Sequence, residues 1–307
     1  MKKQVLALAI AAATSAPAFA LETTTDFYGS LRLKLTDGSD AATDVSNNYS
    51  RIGIKGSVET SLEGVKALYR YEVGVGADQE DESDTANEGN INSRLAWVGL
   101  EGDFGTVKIG QDWTPYAQAL TFTTDIMSSY SPGPFIGAHY RADSQISYYS
   151  PDFGGFSFAA ATLSDTDKTT GENVGSFELT GTVKADMFTV SLGTIQEAND
   201  DIADVISLGV SMTSGDLYLG VLAEQLDDTD AEDSHTYLSA AAQYNVETGA
   251  IVAYVYDKDD EAGSNGFAAE YQHSLGDATT LWVEFANDST DDEDDVQNYS
   301  VGLKVDF

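Results

Sequence analysis

The chain contains no cysteine, so no disulfide supports it, and hydrogen bonding and packing alone must carry the fold. After residue 20 nothing approaches 18 consecutive apolar residues, which excludes a helical membrane span and leaves a β-barrel as the only spanning architecture open to it. Positive charge is also scarce: 15 Lys+Arg stand against 51 Asp+Glu, a formal net charge of −36. A surface this acidic repels phosphate backbones, so nucleic acid is excluded as a partner. Highly acidic chains are often disordered, but 42% apolar and 10% aromatic residues give this one ample material to bury.

The first twenty residues have a basic start at Lys2 and Lys3, an apolar core from Val5 to Ala13, and small residues Ala18 and Ala20 around Phe19. These are the parts of a secretory signal peptide cleaved before Leu21; the apolar stretch is too short for a bilayer core of about 30 Å. Residues 21–307 read as a single domain whose 13 basic and 51 acidic residues give a net charge of −38.

Within that domain the dominant pattern has a period of two. Its last segment places Tyr299, Val301, Leu303, Val305 and Phe307 on one side and Asn298, Ser300, Gly302, Lys304 and Asp306 on the other. Alternation of this kind, ending on a C-terminal aromatic, suits a strand with one face in lipid and the other in water. Sixteen such segments are expected, at 26–35, 50–59, 65–76, 92–101, 106–111, 138–149, 156–163, 175–183, 188–196, 203–212, 217–226, 235–245, 250–257, 265–273, 279–288 and 297–307. Ten tilted residues cover roughly 25 Å, the height of the apolar belt of an outer-membrane barrel. Tight turns such as Leu62-Glu63-Gly64 and Ser214-Gly215-Asp216 alternate with longer acidic loops at 78–88, 227–233 and 288–295. An even strand count, short turns at one rim and long loops at the other distinguish a single-chain barrel from a soluble β-sandwich.

One connection, 112–137, is long without being mainly charged. Its aromatic and apolar residues argue that it packs inside the barrel. The acidic loops lack the glycine and ligand spacing of an EF-hand, so no metal site and no cofactor are assigned, and their expected role is a negative mouth that concentrates cations.

Nine basic residues, Arg32, Lys34, Arg51, Lys55, Lys66, Arg70, Arg94, Lys108 and Arg141, fall on the polar parity of the first six strands. Parity alone follows from avoiding lipid, but crowding into six of sixteen strands makes a basic patch on one interior wall. Asp112 and Asp125 of the long connection are expected to supply counter-charge across a narrow gap, setting up a transverse field that filters solutes by size and charge. A catalytic role is not indicated. Nucleophile and base must lie within hydrogen-bond reach, yet His235 and His273 map to opposite rims and His139 reads as a wall or lumen residue.

Three segments carry a family likeness. Tyr49-Ser50-Arg51-Ile52-Gly53-Ile54-Lys55-Gly56 resembles the second strand of Gram-negative general diffusion porins, and Ser93-Arg94-Leu95-Ala96-Trp97-Val98-Gly99-Leu100 is similar to their fourth. The run from Tyr140 to Pro151, followed by Phe153-Gly154-Gly155-Phe156, resembles their sixth strand and its turn. With Phe307, the likeness covers essentially all of residues 21–307. It implies an all-β, 16-stranded antiparallel transmembrane β-barrel in the Gram-negative outer membrane, in contact with lipid and lipopolysaccharide and assembled as a homotrimer. The third extracellular loop would fold inward to face a basic cluster. Arg51 and Arg94 match that cluster through the quoted motifs, while Arg32, Lys55 and Arg70 join it by parity. The Pro-Glu-Phe-Gly-Gly pattern of the inward loop is absent here, with Ser131-Pro132-Gly133-Pro134-Phe135 in its region. The reading is a passive diffusion channel for small hydrophilic solutes and ions, with mild cation preference expected from the total charge. A solute-specific oligosaccharide channel is the alternative, with Tyr28, Trp113, Tyr116, Tyr149 and Tyr218 as stacking candidates.

Overall fold

Strict alternation leaves each strand with one greasy and one polar edge, and only a closed sheet can give every strand the same two environments. In the computed structural model, which describes residues 22–39, 43–76, 91–130, 140–164, 175–197, 204–227, 234–259, 263–291 and 294–307, that sheet is present. Its strands are β1 (Thr23–Gly38), β2 (Asp44–Asn47), β3 (Arg51–Glu59), β4 (Lys66–Val75), β5 (Ile91–Gly102), β6 (Gly105–Trp113), β7 (Arg141–Tyr149) and β8 (Phe156–Leu163). There follow β9 (Ser176–Ala185), β10 (Phe188–Glu197), β11 (Asp204–Ser214), β12 (Leu217–Asp227), β13 (Ser234–Val246), β14 (Gly249–Asp259), β15 (Ser264–Gly276), β16 (Thr279–Thr290) and β17 (Val296–Asp306). A short helix α1 (Pro115–Ala119) and a 3-10 turn (Thr121–Thr123) lie between β6 and β7.

The seventeen segments make sixteen spanning strands, because β2 and β3 are two halves of one. Both pair antiparallel with β1, and between them Tyr49 takes a left-handed φ of 61°, which a β-ladder does not accommodate. Most strands run past their expected ends, most clearly β1, because ladder pairing continues beyond the apolar alternation that reveals a strand in sequence, whereas β3, β4 and β7 begin later than expected.

Every consecutive pair is antiparallel, and β17 returns to β1 in the register Ser30↔Asp306 to Gly38↔Asn298. Phe307 completes the seam: the Gly29 amide donates to the Phe307 carbonyl at 2.8 Å, and the Phe307 amide donates back to Gly29 at 3.0 Å. The Phe307 ring lies over Gly29, where any Cβ would collide with it. No edge of the ladder is left open, the condition for a sheet to sit in hydrocarbon.

The two faces differ as the alternation requires. On β14, Ile251 and Val255 are each 52% exposed, while Val252 and Tyr254 on the opposite parity are 0% and 2% exposed. Each of the seventeen segments carries at least one large exposed apolar side chain, forming a belt around the barrel. Soluble monomers rarely expose apolar patches beyond a few hundred Å², so this belt is a lipid-facing surface. The expected tight turns Leu62-Glu63-Gly64 and Ser214-Gly215-Asp216 join β3 to β4 and β11 to β12 at one rim. The acidic loop at 78–88 lies outside the described residues, as do 228–233, 292–293 and the Ser131-Pro132-Gly133-Pro134-Phe135 run.

Candidate functional site

The inner face of β1, β3, β4, β5 and β7 carries a basic arc organised around a carboxylate, Glu72. Tyr28 on β1 can lean across the wall because its ladder partner is Gly53, where a Cβ would meet the phenol ring. Its hydroxyl donates to Glu72 Oε2 at 2.8 Å and accepts from Arg70 Nε at 2.8 Å. Arg70 Nη2 reaches the same oxygen at 3.2 Å, and Arg94 Nε pairs with Glu72 Oε1 at 2.9 Å. The Tyr28 ring also faces the Arg70 guanidinium at 5.2 Å and Lys55 Nζ at 5.7 Å. Glu72 is 2% exposed, so its charge survives burial only through these donors.

Arg94 reaches the arc by a β-bulge. The regular alternation expected for Arg94 does not hold: counted back from the outward-facing Val98 and Leu100, even-numbered residues of β5 face lipid, and Arg94 would lie with them and not on the polar face. The ladder slips here, pairing Glu72 with Leu95 and Val73 with Ser93, which leaves Arg94 as an extra residue turned inward.

Around this core stand Arg32, whose Nε donates to Ser30 at 2.8 Å, together with Arg51 and Arg141. Among the described residues no carboxylate lies within ion-pair distance of these three. Arg141 packs its guanidinium 4.9 Å from the Trp113 ring centre, and its buried Nη1 has no hydrogen-bond partner.

The two expected counter-charges sit elsewhere. Asp112 belongs to strand β6, not to a loop, and its carboxylate pairs with Lys108 Nζ at 2.7 Å. Lys108 lies between the Trp97 and Tyr149 rings, at 4.4 and 4.9 Å. Asp125 is largely buried beside Tyr140; burial pushes its carboxyl up to about 6, opposed by the Tyr140 hydrogen bond. Among the described residues, neither acid forms an ion pair with Arg32, Arg51, Lys55, Arg70 or Arg94.

Residues 114–130 form a strap bonded to side chains of β9, β11 to β13, β15 and β16. Thr114 caps α1 by accepting from the Ala117 amide at 3.1 Å, and Pro115 opens the helix without spending a donor. The strap is held largely by glutamates that project from mid-strand. The Tyr116 amide donates to Glu178 at 3.0 Å, and its hydroxyl bonds Glu224 and Ser207. Burial first, and then the Glu224 charge, push the Tyr116 phenol well above its usual value, so it remains a donor. The Ser128 amide and hydroxyl both donate to Glu270 at 2.7 Å, and the Ser129 and Tyr130 amides donate to Glu284 at 3.2 and 3.0 Å. The far end meets the basic side, where Lys34 Nζ donates to Ser129 Oγ at 2.9 Å and Asn48 donates to the Ser128 carbonyl at 2.8 Å.

Sequence reasoning missed Glu72 and these wall glutamates. Glu178, Glu270 and Glu284 each stand between apolar neighbours in mid-strand, as in Phe177-Glu178-Leu179 and Val283-Glu284-Phe285, and that isolation was a readable sign of an inward carboxylate with a partner. Thr114-Pro115 likewise announced a helix start.

The sequence model of the family described as Gram-negative porin matches residues 7–293. "Outer membrane porin protein 32" of Delftia acidovorans is 32% identical over 255 residues, covering 73% of this chain and 70% of that protein. The "Chitoporin" of Vibrio furnissii is 31% identical over 145 residues, 44% of this chain and 39% of its own. Among solved structures, the "Anion-selective porin from Comamonas acidovorans" superposes with a TM-score of 0.79 at 22% identity, covering 93% of this chain and 100% of that one. A closed antiparallel barrel with an apolar belt and a charged lumen, matched along most of its length by the family's sequence pattern, makes this chain a member of the Gram-negative porins, channel proteins of the outer membrane.

Proposed function

We propose that this porin is a passive channel whose passage is narrowed between the basic arc and the strap, and that its reachable charge favours anions. The observation that carries the reading is an asymmetry of access. Glu178, Glu224, Glu270 and Glu284 are at most 6% exposed and engaged by the strap, whereas Arg32, Arg51 and Arg70 remain partly open to the lumen. A permeating ion responds to charges within about one Debye length, ~8 Å at physiological salt, so the charges lining the lumen weigh more than the total charge of the chain. This reverses the cation preference expected from total charge, which weighs every carboxylate equally wherever it sits.

Residues 1–20 would be removed on export, and the mature chain would assemble as a homotrimer in contact with lipopolysaccharide, as the family likeness implies. Reconstitution into liposomes tests the channel itself. Swelling rates should fall steeply with the size of uncharged solutes, and planar bilayers should show stepwise conductance. Bilayers that stay electrically silent would contradict the proposal. A solute-specific channel is the second reading, favoured by a hydroxyl-bearing recess beside Tyr149 and Tyr218.

A further inference from the structure

The lumen has a second recess that carries almost no charge. It lies beneath α1 and the 3-10 turn, against the inner faces of β7 to β12, and encloses about 430 Å³. Hydroxyls of Thr180, Thr182, Thr189 and Ser191 share its lining with Phe122, Phe158 and Ala159; Thr182 and Ser191 bond each other at 2.9 Å, Thr180 donates to the Ala159 carbonyl at 3.4 Å, and among the described residues the one charged lining residue is Lys184, next to the turn that joins β9 to β10. Two tyrosines fix the roof. Gln118 donates to the Tyr149 hydroxyl at 2.7 Å, and the Tyr218 hydroxyl donates to the Thr123 carbonyl at 2.8 Å. These bonds tie the strap to β7 on one side and to β12 on the other, so the aromatic side chains bordering the recess are held in place.

We infer that this recess is a subsite for a neutral polyhydroxylated solute, a small saccharide. The volume lies within the range of small-molecule sites, about 300–1,000 Å³. Threonine and serine hydroxyls both donate and accept, as do the hydroxyls of a sugar, and aromatic faces suit its C–H surfaces. A cation would find no carboxylate among the described lining residues, and an anion would find a stronger field across the lumen at the arginine arc. The lumen thus has two sides, with anions drawn to the arc and uncharged polyols retained under the strap. This inference rests on the channel reading, since the subsite is reached only through the pore.

The test is current block in planar bilayers, with maltotriose as the probe and a polyethylene glycol of equal hydrodynamic size as control. Maltotriose should reduce the open conductance at lower concentration than the glycol. In the triple variant Thr180→Val, Thr189→Val and Ser191→Ala, which keeps side-chain shape nearly unchanged, half-block should need about tenfold more sugar. The open conductance of that variant in salt alone should equal the parent's, which reports that it has folded. Equal block by sugar and glycol, or equal block in parent and variant, would overturn the subsite while leaving the pore standing. A parent protein that forms no conducting steps would overturn both.

Discussion

At the scale of single residues, Glu72 is the pivot of the basic arc. It holds Arg70, Arg94 and Tyr28 with one buried carboxylate, so its removal both frees positive charge and loosens the side chains around it. Glu72→Gln should raise the anion-to-cation permeability ratio about tenfold, because a unit charge at ~6 Å in water acts on an anion and a cation by ~0.7 kcal/mol in opposite directions. An unchanged or lowered ratio from reversal potentials would remove Glu72 from the filter. Asp125 makes a pH prediction. Its folded value of about 6 lies above the ordinary carboxylate range, so between pH 4 and 6 the folded strap binds the extra proton and stability falls as pH rises. The cost is complete above pH 6, on the order of 3 kcal/mol, and Asp125→Asn should abolish it. Limited proteolysis of the strap at pH 7 should be slower in that variant, and faster cleavage would contradict the account. Of these two acids the sequence made Asp125 conspicuous, because it stands in the long connection. Glu72 was obscured by its basic neighbours, although it shares the parity of Arg70.

At the scale of elements, alternation made the strands legible, since lipid outside and water inside impose a period of two on every one of them. What alternation could not show were its own interruptions. The bulge at Arg94 and the left-handed turn at Tyr49 break the count, and both occur in segments that build the arc. The strap was legible as a packed connection through its aromatic and apolar content. Its anchors were not, because they lie on strands 62 to 155 residues away in sequence. Charge-assisted hydrogen bonds contribute roughly 1.5–3 kcal/mol each, so the carboxylates of Glu270 and Glu284 should dominate the docking of the strap's far end. The double variant Glu270→Gln and Glu284→Gln should leave the barrel closed but increase open-channel current noise severalfold. Noise equal to the parent's would show that the strap is held by something else.

At the scale of the whole molecule, composition pointed one way and architecture another. A net charge of −36 describes the chain, but a pore is governed by the charges a permeating ion can approach. Here the barrel buries much of its inner acid under the strap and leaves arginines of β1, β3 and β4 open to the lumen. Which charges are covered depends on hydrogen bonds between the strap and distant strands, and no local pattern encodes that. The central claim is therefore one about sign, and a reversal potential across a planar bilayer under a potassium chloride gradient tests it directly. The account predicts a zero-current potential set by chloride. A potential of the opposite polarity, set by potassium, would contradict it.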